Sequence, residues 1–178
     1  MKSYPGKPRR FNRDNSIYFL TFCTLKRRPL LHFPGIPEFL IEELSFYSHH
    51  VKHLIAYTVM PDHIHTMVEI DTEQSLSNFL RDVKKYTSVV LKRRIKLKPE
   101  DKIWQPGTMD HCIRTRWQDM DYDRHLSYIF YNSKKHLDIL PKDFPYHNFL
   151  EFVEQQVFDI DFCFESEHDL KAFEIYEQ

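Results

Sequence analysis

The stretch from Leu54 to Ile70 constrains the fold more than any other part of the chain. Leu54-Ile55-Ala56-Tyr57-Thr58-Val59-Met60 is apolar, β-branched and aromatic, the composition of a strand. Pro61-Asp62 interrupts it as a turn or bulge, and His63 to Ile70 resumes as a second strand. A long amphipathic helix follows over Ser75 to Arg94, where Leu76, Phe79, Leu80, Val83, Thr87, Val90 and Leu91 recur at i, i+3, i+4 and i+7.

The flanking segments extend this frame. Ile17 to Thr24 reads as a strand, and Pro37 to His49 as a helix with Leu40, Ile41, Leu44 and Tyr47 at helical spacing. Met109 to Arg114 reads as a short strand. Asp121 to His136 reads as a helix capped by Asp121. Residues 140–150 read as loop, and a final helical or mixed piece follows. This order predicts an α+β fold, a central antiparallel sheet with helices packed on it. At 178 residues the chain is expected to form one domain, residues 1–150, with an extension at 151–178.

Composition excludes several classes. Three glycines leave no glycine-rich phosphate loop. Cys23, Cys112 and Cys163 are odd in number and form no CxxC pair, which argues against a zinc cage or a disulfide framework and for a reducing, intracellular setting. No apolar run approaches the ~18 residues of a membrane span, and residues 1–13 are basic with no apolar signal core. The formal charge of −1 hides an asymmetry. Residues 151–178 hold nine acidic side chains against Lys171, a net of −8, whereas the rest holds 24 basic and 17 acidic, a net of +7. A basic body points to a polyanion partner, and an acidic tail is either a solvated segment or a cover for the basic face.

Three groups of residues can carry chemistry. His63 and His65, at i and i+2 of a strand, share one face and make half of a metal site; the bland alternative is two histidines on an exposed strand face. Their neighbours Ile64, Met67 and Val68 are expected to face the core. On the Asp121–His136 helix, Tyr128, Asn132 and Lys135 fall at i, i+4 and i+7, apart from the apolar stripe of Leu126, Ile129, Phe130 and Leu137. Tyr128 is either a nucleophile or a half-buried tyrosine, and helix position alone favours the second. The third group is basic. Arg9 and Arg10 precede the first strand, Arg27 and Arg28 follow it, and Arg81, Lys84, Lys85, Lys92 and Arg93 crowd the long helix, a density that favours contact with nucleic acid over a solvated face. Trp104 and Trp117 are read as core.

Taken in order, these blocks resemble a known family. Val59-Met60-Pro61-Asp62-His63-Ile64-His65 looks like the signature of the HUH single-tyrosine transposases, in which a bulky apolar residue separates two histidines. Asn78 to Ser88 is similar to the basic helix that follows that signature. Ile103 to Pro106 and Asp110 to Arg114 resemble the next block, and Asp121 to Asn132 looks like the helix of the catalytic tyrosine. The resemblance spans roughly Tyr18 to Leu137 and is nearest to the REP-associated tyrosine transposases of the IS200-like group. Two positions depart from the pattern: Ser133 stands where Asn-Pro is usual, and Leu137 where a glycine is frequent.

The resemblance implies a sheet of ferredoxin-like order, the HUH endonuclease fold. It implies Tyr128 as nucleophile, with His63, His65 and the amide of Asn132 holding Mg²⁺ or Mn²⁺. The substrate implied is single-stranded or hairpin DNA, cleaved and rejoined through a 5′-phosphotyrosine by a monomer or homodimer in the bacterial cytoplasm, at the nucleoid. Two other classes remain open. One is a nucleic-acid-binding protein derived from a transposase that no longer cleaves. The other is a metal-dependent hydrolase of small phosphates, against which the basic helix speaks.

Overall fold

The computed structural model describes residues 14–113 and 120–163. Four strands form one antiparallel sheet: β1 (Ser16–Cys23), β2 (His53–Val59), β3 (His63–Ile70) and β4 (Met109–Cys112), in spatial order β2-β3-β1-β4. Between them run α1 (Ile36–Tyr47), after β1, and α2 (Glu73–Arg94), after β3. This is the expected ferredoxin-like arrangement. Two more helices follow, α3 (Asp121–Leu137) and α4 (Phe149–Glu154). Among the described residues no helix is long and apolar enough to cross a membrane.

Local chemistry explains the elements. At Pro61-Asp62 the Met60 N–H donates to the His63 carbonyl at 2.8 Å, while Thr24 N–H and Oγ1 both donate to the Asp62 carbonyl. The break in the strand pattern is thus a turn, tied to the end of β1. Thr72 caps α2 with a reciprocal pair to Ser75. Gly35, at φ 75°, precedes α1, and Pro37 sits in its first turn. Asp121 is not the cap of α3. Met120 takes that position in a left-handed conformation, and the Asp121 carboxylate turns inward to His111 and His125.

The sheet is covered on both sides. Leu20, Phe22, Ile64, Val68 and Ile70 face α1 and α2, with Leu44, Phe79, Val83 and Trp104 in the same core. Trp104 is 7% exposed and donates to Thr87 Oγ1 at 3.0 Å, so it is core as expected, while Trp117 lies outside the described residues. The other face carries Phe19, Ala56 and Met67 under α3, backed by Phe149 and Phe152. Met67 therefore shares the histidine face rather than that of Ile64 and Val68. Residues 140–150, read as loop, include a 3-10 turn and the start of α4.

Candidate active site

Alternation along β3 places His63 and His65 on the α3 face, yet they are not exposed. They are 4% and 2% accessible, because the central strand is flanked by β1 and β2 and roofed by α3. Each ring is held through Nδ1. His65 Nδ1 lies 2.9 Å from Oγ1 of Thr21, its register partner on β1. His63 Nδ1 lies 2.6 Å from Asp62 Oδ1, and the other Asp62 oxygen faces Arg27 at 3.5 Å. Holding one nitrogen orients the ring and leaves Nε2 as the ligand atom. His65 Nε2 is buried with no hydrogen-bond partner among the described residues. Burial, reinforced by the charges of His63 and His136, drives His65 well below the ordinary histidine range, so its ring is neutral, as a metal ligand must be.

Helix α3 brings the rest. Asn132 donates through Nδ2 to the Tyr128 carbonyl at 2.6 Å, and its Oδ1 is likewise buried with no hydrogen-bond partner among the described residues. The Tyr128 ring centroid is 5.3 Å from that of His65, and Lys135 Nζ is 5.3 Å from the Tyr128 ring centre. The ring of His136 lies 5.7 Å from that of His63. Two imidazoles and an amide oxygen, with two buried acceptors unmet, fit a divalent cation. Tyr128 and Asn132, on the more polar face of the helix, are fully buried. They are 1% and 0% accessible, and the Tyr128 ring packs on Phe19 and His65. The helix runs unbroken through Ser133 and closes at Asp138, in the left-handed conformation, with its N–H on Lys134 and Ser133 carbonyls.

Sequence reading missed the supports. Thr21 was only a strand residue and Asp62 only a turn; adjacency to His63 was the available signal for Asp62, whereas Thr21 is linked to His65 solely by strand register.

The basic residues divide. Arg9 and Arg10 lie outside the described residues. Arg27 pairs with Asp62 beside His63, and Arg81 with Asp82. Arg28, Lys84 and Lys92 reach backbone carbonyls of Lys102, Gly107 and Pro99 respectively. Lys85 and Arg93 are exposed. Lys84, Lys85, Lys92 and Lys102 line one groove of about 340 Å³ between α2 and the segment 102–105.

The sequence model of the family described as transposase, IS200-like, matches residues 12–118, which include both histidines. A Haemophilus influenzae protein named as a REP-associated tyrosine transposase is 29% identical over 164 residues, covering 85% of this chain and 91% of the relative. A solved structure of a REP-associated tyrosine transposase bound to a REP hairpin superposes with a TM-score of 0.71 at 25% identity, over 93% of each chain. With more than half of its length matched by the family model, the chain belongs to the IS200-like transposases, and its enzyme class is that of the tyrosine transposases, which transfer DNA strands.

Proposed function

We propose that the protein cleaves and rejoins single-stranded DNA beside a hairpin, with Tyr128 as nucleophile and with His63, His65 and Asn132 holding a divalent cation, Mg²⁺ or Mn²⁺. The observation that carries this reading is the pair of buried acceptors without partners, His65 Nε2 and Asn132 Oδ1, on the two elements that meet at Tyr128. A nitrogen-rich donor set favours Mn²⁺ over Mg²⁺. When bound, the cation supplies Lewis-acid polarisation of a non-bridging phosphate oxygen.

The chain's own groups do the rest. Tyr128 Oη attacks phosphorus and forms the phosphotyrosyl bond; the phosphorus–O3′ bond breaks, and the departing strand end takes a proton as a 3′-hydroxyl. Attack by a 3′-hydroxyl on the same ester reseals the strand and returns the phenol, so no nucleotide cofactor is consumed. Lys135 favours the phenolate by charge. Asp62 and Thr21 fix the imidazoles. Arg27, Lys85 and Arg93, with the lysine groove, are positioned to meet the DNA backbone. The hairpin-bound relative supports hairpin DNA as the substrate class.

A covalent-capture assay tests this. Hairpin DNA with a single-stranded flank, taken from repeats near the gene, is incubated with protein and Mn²⁺ and run on a denaturing gel. An adduct that disappears with excess chelator is expected. Persistence of the adduct in chelator would overturn the metal assignment, and DNA retention on a native gel with no adduct would favour a binding protein without cleavage.

A further inference from the structure

We propose that His111, Asp121 and His125 form a second metal site, distinct from His63, His65 and Asn132, that takes a divalent transition ion of the zinc class and clips edge strand β4 to the start of the tyrosine helix. Among the described residues this is the one group of three or more His, Cys, Asp and Glu side chains whose ligand atoms converge within 4.8 Å of one another. His111 Nε2 lies 3.0 Å from Asp121 Oδ2, and His125 Nδ1 lies 3.0 Å from Asp121 Oδ1. Metal–ligand bonds of about 2.0–2.1 Å at tetrahedral angles set donor atoms roughly 3.3 Å apart, so small side-chain shifts admit the ion.

The donor set is specific. Two imidazoles and one carboxylate with a fourth position left to water suit zinc, while the amide-containing set at Tyr128 suits a harder ion. The site is also built rather than fortuitous. His125 is 1% and Asp121 8% accessible. The two imidazoles stack at 4.7 Å with 12° between planes beside the carboxylate that both face, so a tilt of the rings toward each other aims both nitrogens at one ion. His111 arrives from β4, opposite Phe19 of β1, and His125 from α3, so the ligands join two successive elements, the sheet edge and the tyrosine helix. His125 Nδ1 is 2.7 Å from the Asp121 carbonyl oxygen, which can only accept, so in that bond Nδ1 carries the proton. Binding at Nδ1 displaces that proton to solvent.

The clip bears on the nucleophile. His125 lies within one helical turn of Tyr128, and the Phe19 ring touches both His125 at 4.9 Å and His65 at 5.1 Å. A metal at this cluster fixes the rotation of α3 about its axis, and so the direction in which Tyr128 points.

The test does not depend on the chemistry at Tyr128. In full-length protein carrying His65→Ala, which disables the first site, Zn²⁺ is titrated against a chromophoric chelator and Co²⁺ is followed by its tetrahedral absorption band. One tight equivalent is expected, with melting raised by about 5 °C at a Zn²⁺ concentration a hundredfold above the dissociation constant. Adding His111→Gln or Asp121→Asn should weaken that equivalent at least tenfold and cancel the melting shift. Circular dichroism of the metal-free proteins identifies which of these two variants folds, and either suffices. No tight equivalent in His65→Ala, or one that survives both further substitutions, overturns the proposal.

Discussion

On the face under α1 and α2, β1 and β3 present Tyr18, Leu20, Phe22, Ile64, Val68 and Ile70; on the face under α3 the alternate residues of the same strands are Phe19, Thr21, His63, His65 and Met67. Burial is the same on the two sides: Ile64 is 0% and His65 2% accessible. What differs is how the buried atoms are satisfied. The first face is held by apolar packing, and its one polar strand residue on β3, Thr66, donates to the Ala56 carbonyl at 3.0 Å. The second face buries His65 Nε2 and Asn132 Oδ1 with no hydrogen-bond partner among the described residues. One face of the sheet is satisfied by packing and the other carries unmet polar valence, which the proposed cation would complete.

The sharpest break of this comparison is Tyr128→Phe, which removes one oxygen from the second face. The adduct should fall to background, with the melting temperature nearly unchanged and hairpin binding retained. Persistent adduct would shift the nucleophile to Tyr131 or Tyr122. The reverse experiment is Leu20→Ala on the first face. Leu20 is fully buried, and the truncation should cost about 2–5 kcal/mol of unfolding free energy in urea. At low temperature, where the variant stays folded, cleavage per folded molecule should be near that of wild type. A large loss of activity there would mean that the faces are coupled.

How much of this was legible in the sequence differs between the faces. The apolar face was readable almost residue by residue, since period-two strands and the 3.6-residue stripe of α2 are local signals. His63 and His65 were readable as a pair, but their burial was not, because the helix that covers them begins about sixty residues later. Tyr128, Asn132 and Lys135 were readable as a more polar face with Tyr128 at most half-buried, and their full burial was not, for a similar reason. Tyr128 lies against Phe19 and His65, on strands that precede it by sixty residues or more, while Phe149, Phe152 and Phe158 back the helix at Phe130. Charge density has its own blind spot. Lysine that holds a carbonyl, as Lys84 does at Gln105, and lysine that waits for phosphate have the same letter.

His147 tests whether the second face is fragile to acid. It sits half-buried among Phe130, Phe144 and Phe149, and burial pushes its pKa down to about 4. Its ordinary value is 6.5, so the unfolded chain takes up the proton first. The stability that follows from a neutral His147 is full above pH 6.5, declines as pH falls, and is gone by about pH 4. Over that window the loss is about 3 kcal/mol at most. His147→Phe should flatten the urea midpoint between pH 6.5 and 4. An unchanged slope would place the acid sensitivity elsewhere.

The smallest expected effect is the most informative about how the polar face is organised. Asp62 is not one of the proposed metal ligands; it orients His63 and faces Arg27. Although burial alone would raise its pKa, the hydrogen bond and charge of His63, with Arg27, hold it below the ordinary value, so it is ionised throughout the working range. Asp62→Asn keeps the shape and an acceptor for His63 but removes the charge. Removing such a support typically weakens metal affinity by about 10–100-fold, and the milder end applies because the bond survives. The Mn²⁺ concentration for half-maximal adduct should therefore rise about tenfold, with the maximal rate nearly restored at saturation. The same titration on Leu20→Ala should show no such shift. If both variants shift alike, Asp62 acts through general stability and the division between the faces is one of packing alone; if only Asp62→Asn shifts, the second face is organised around the cation.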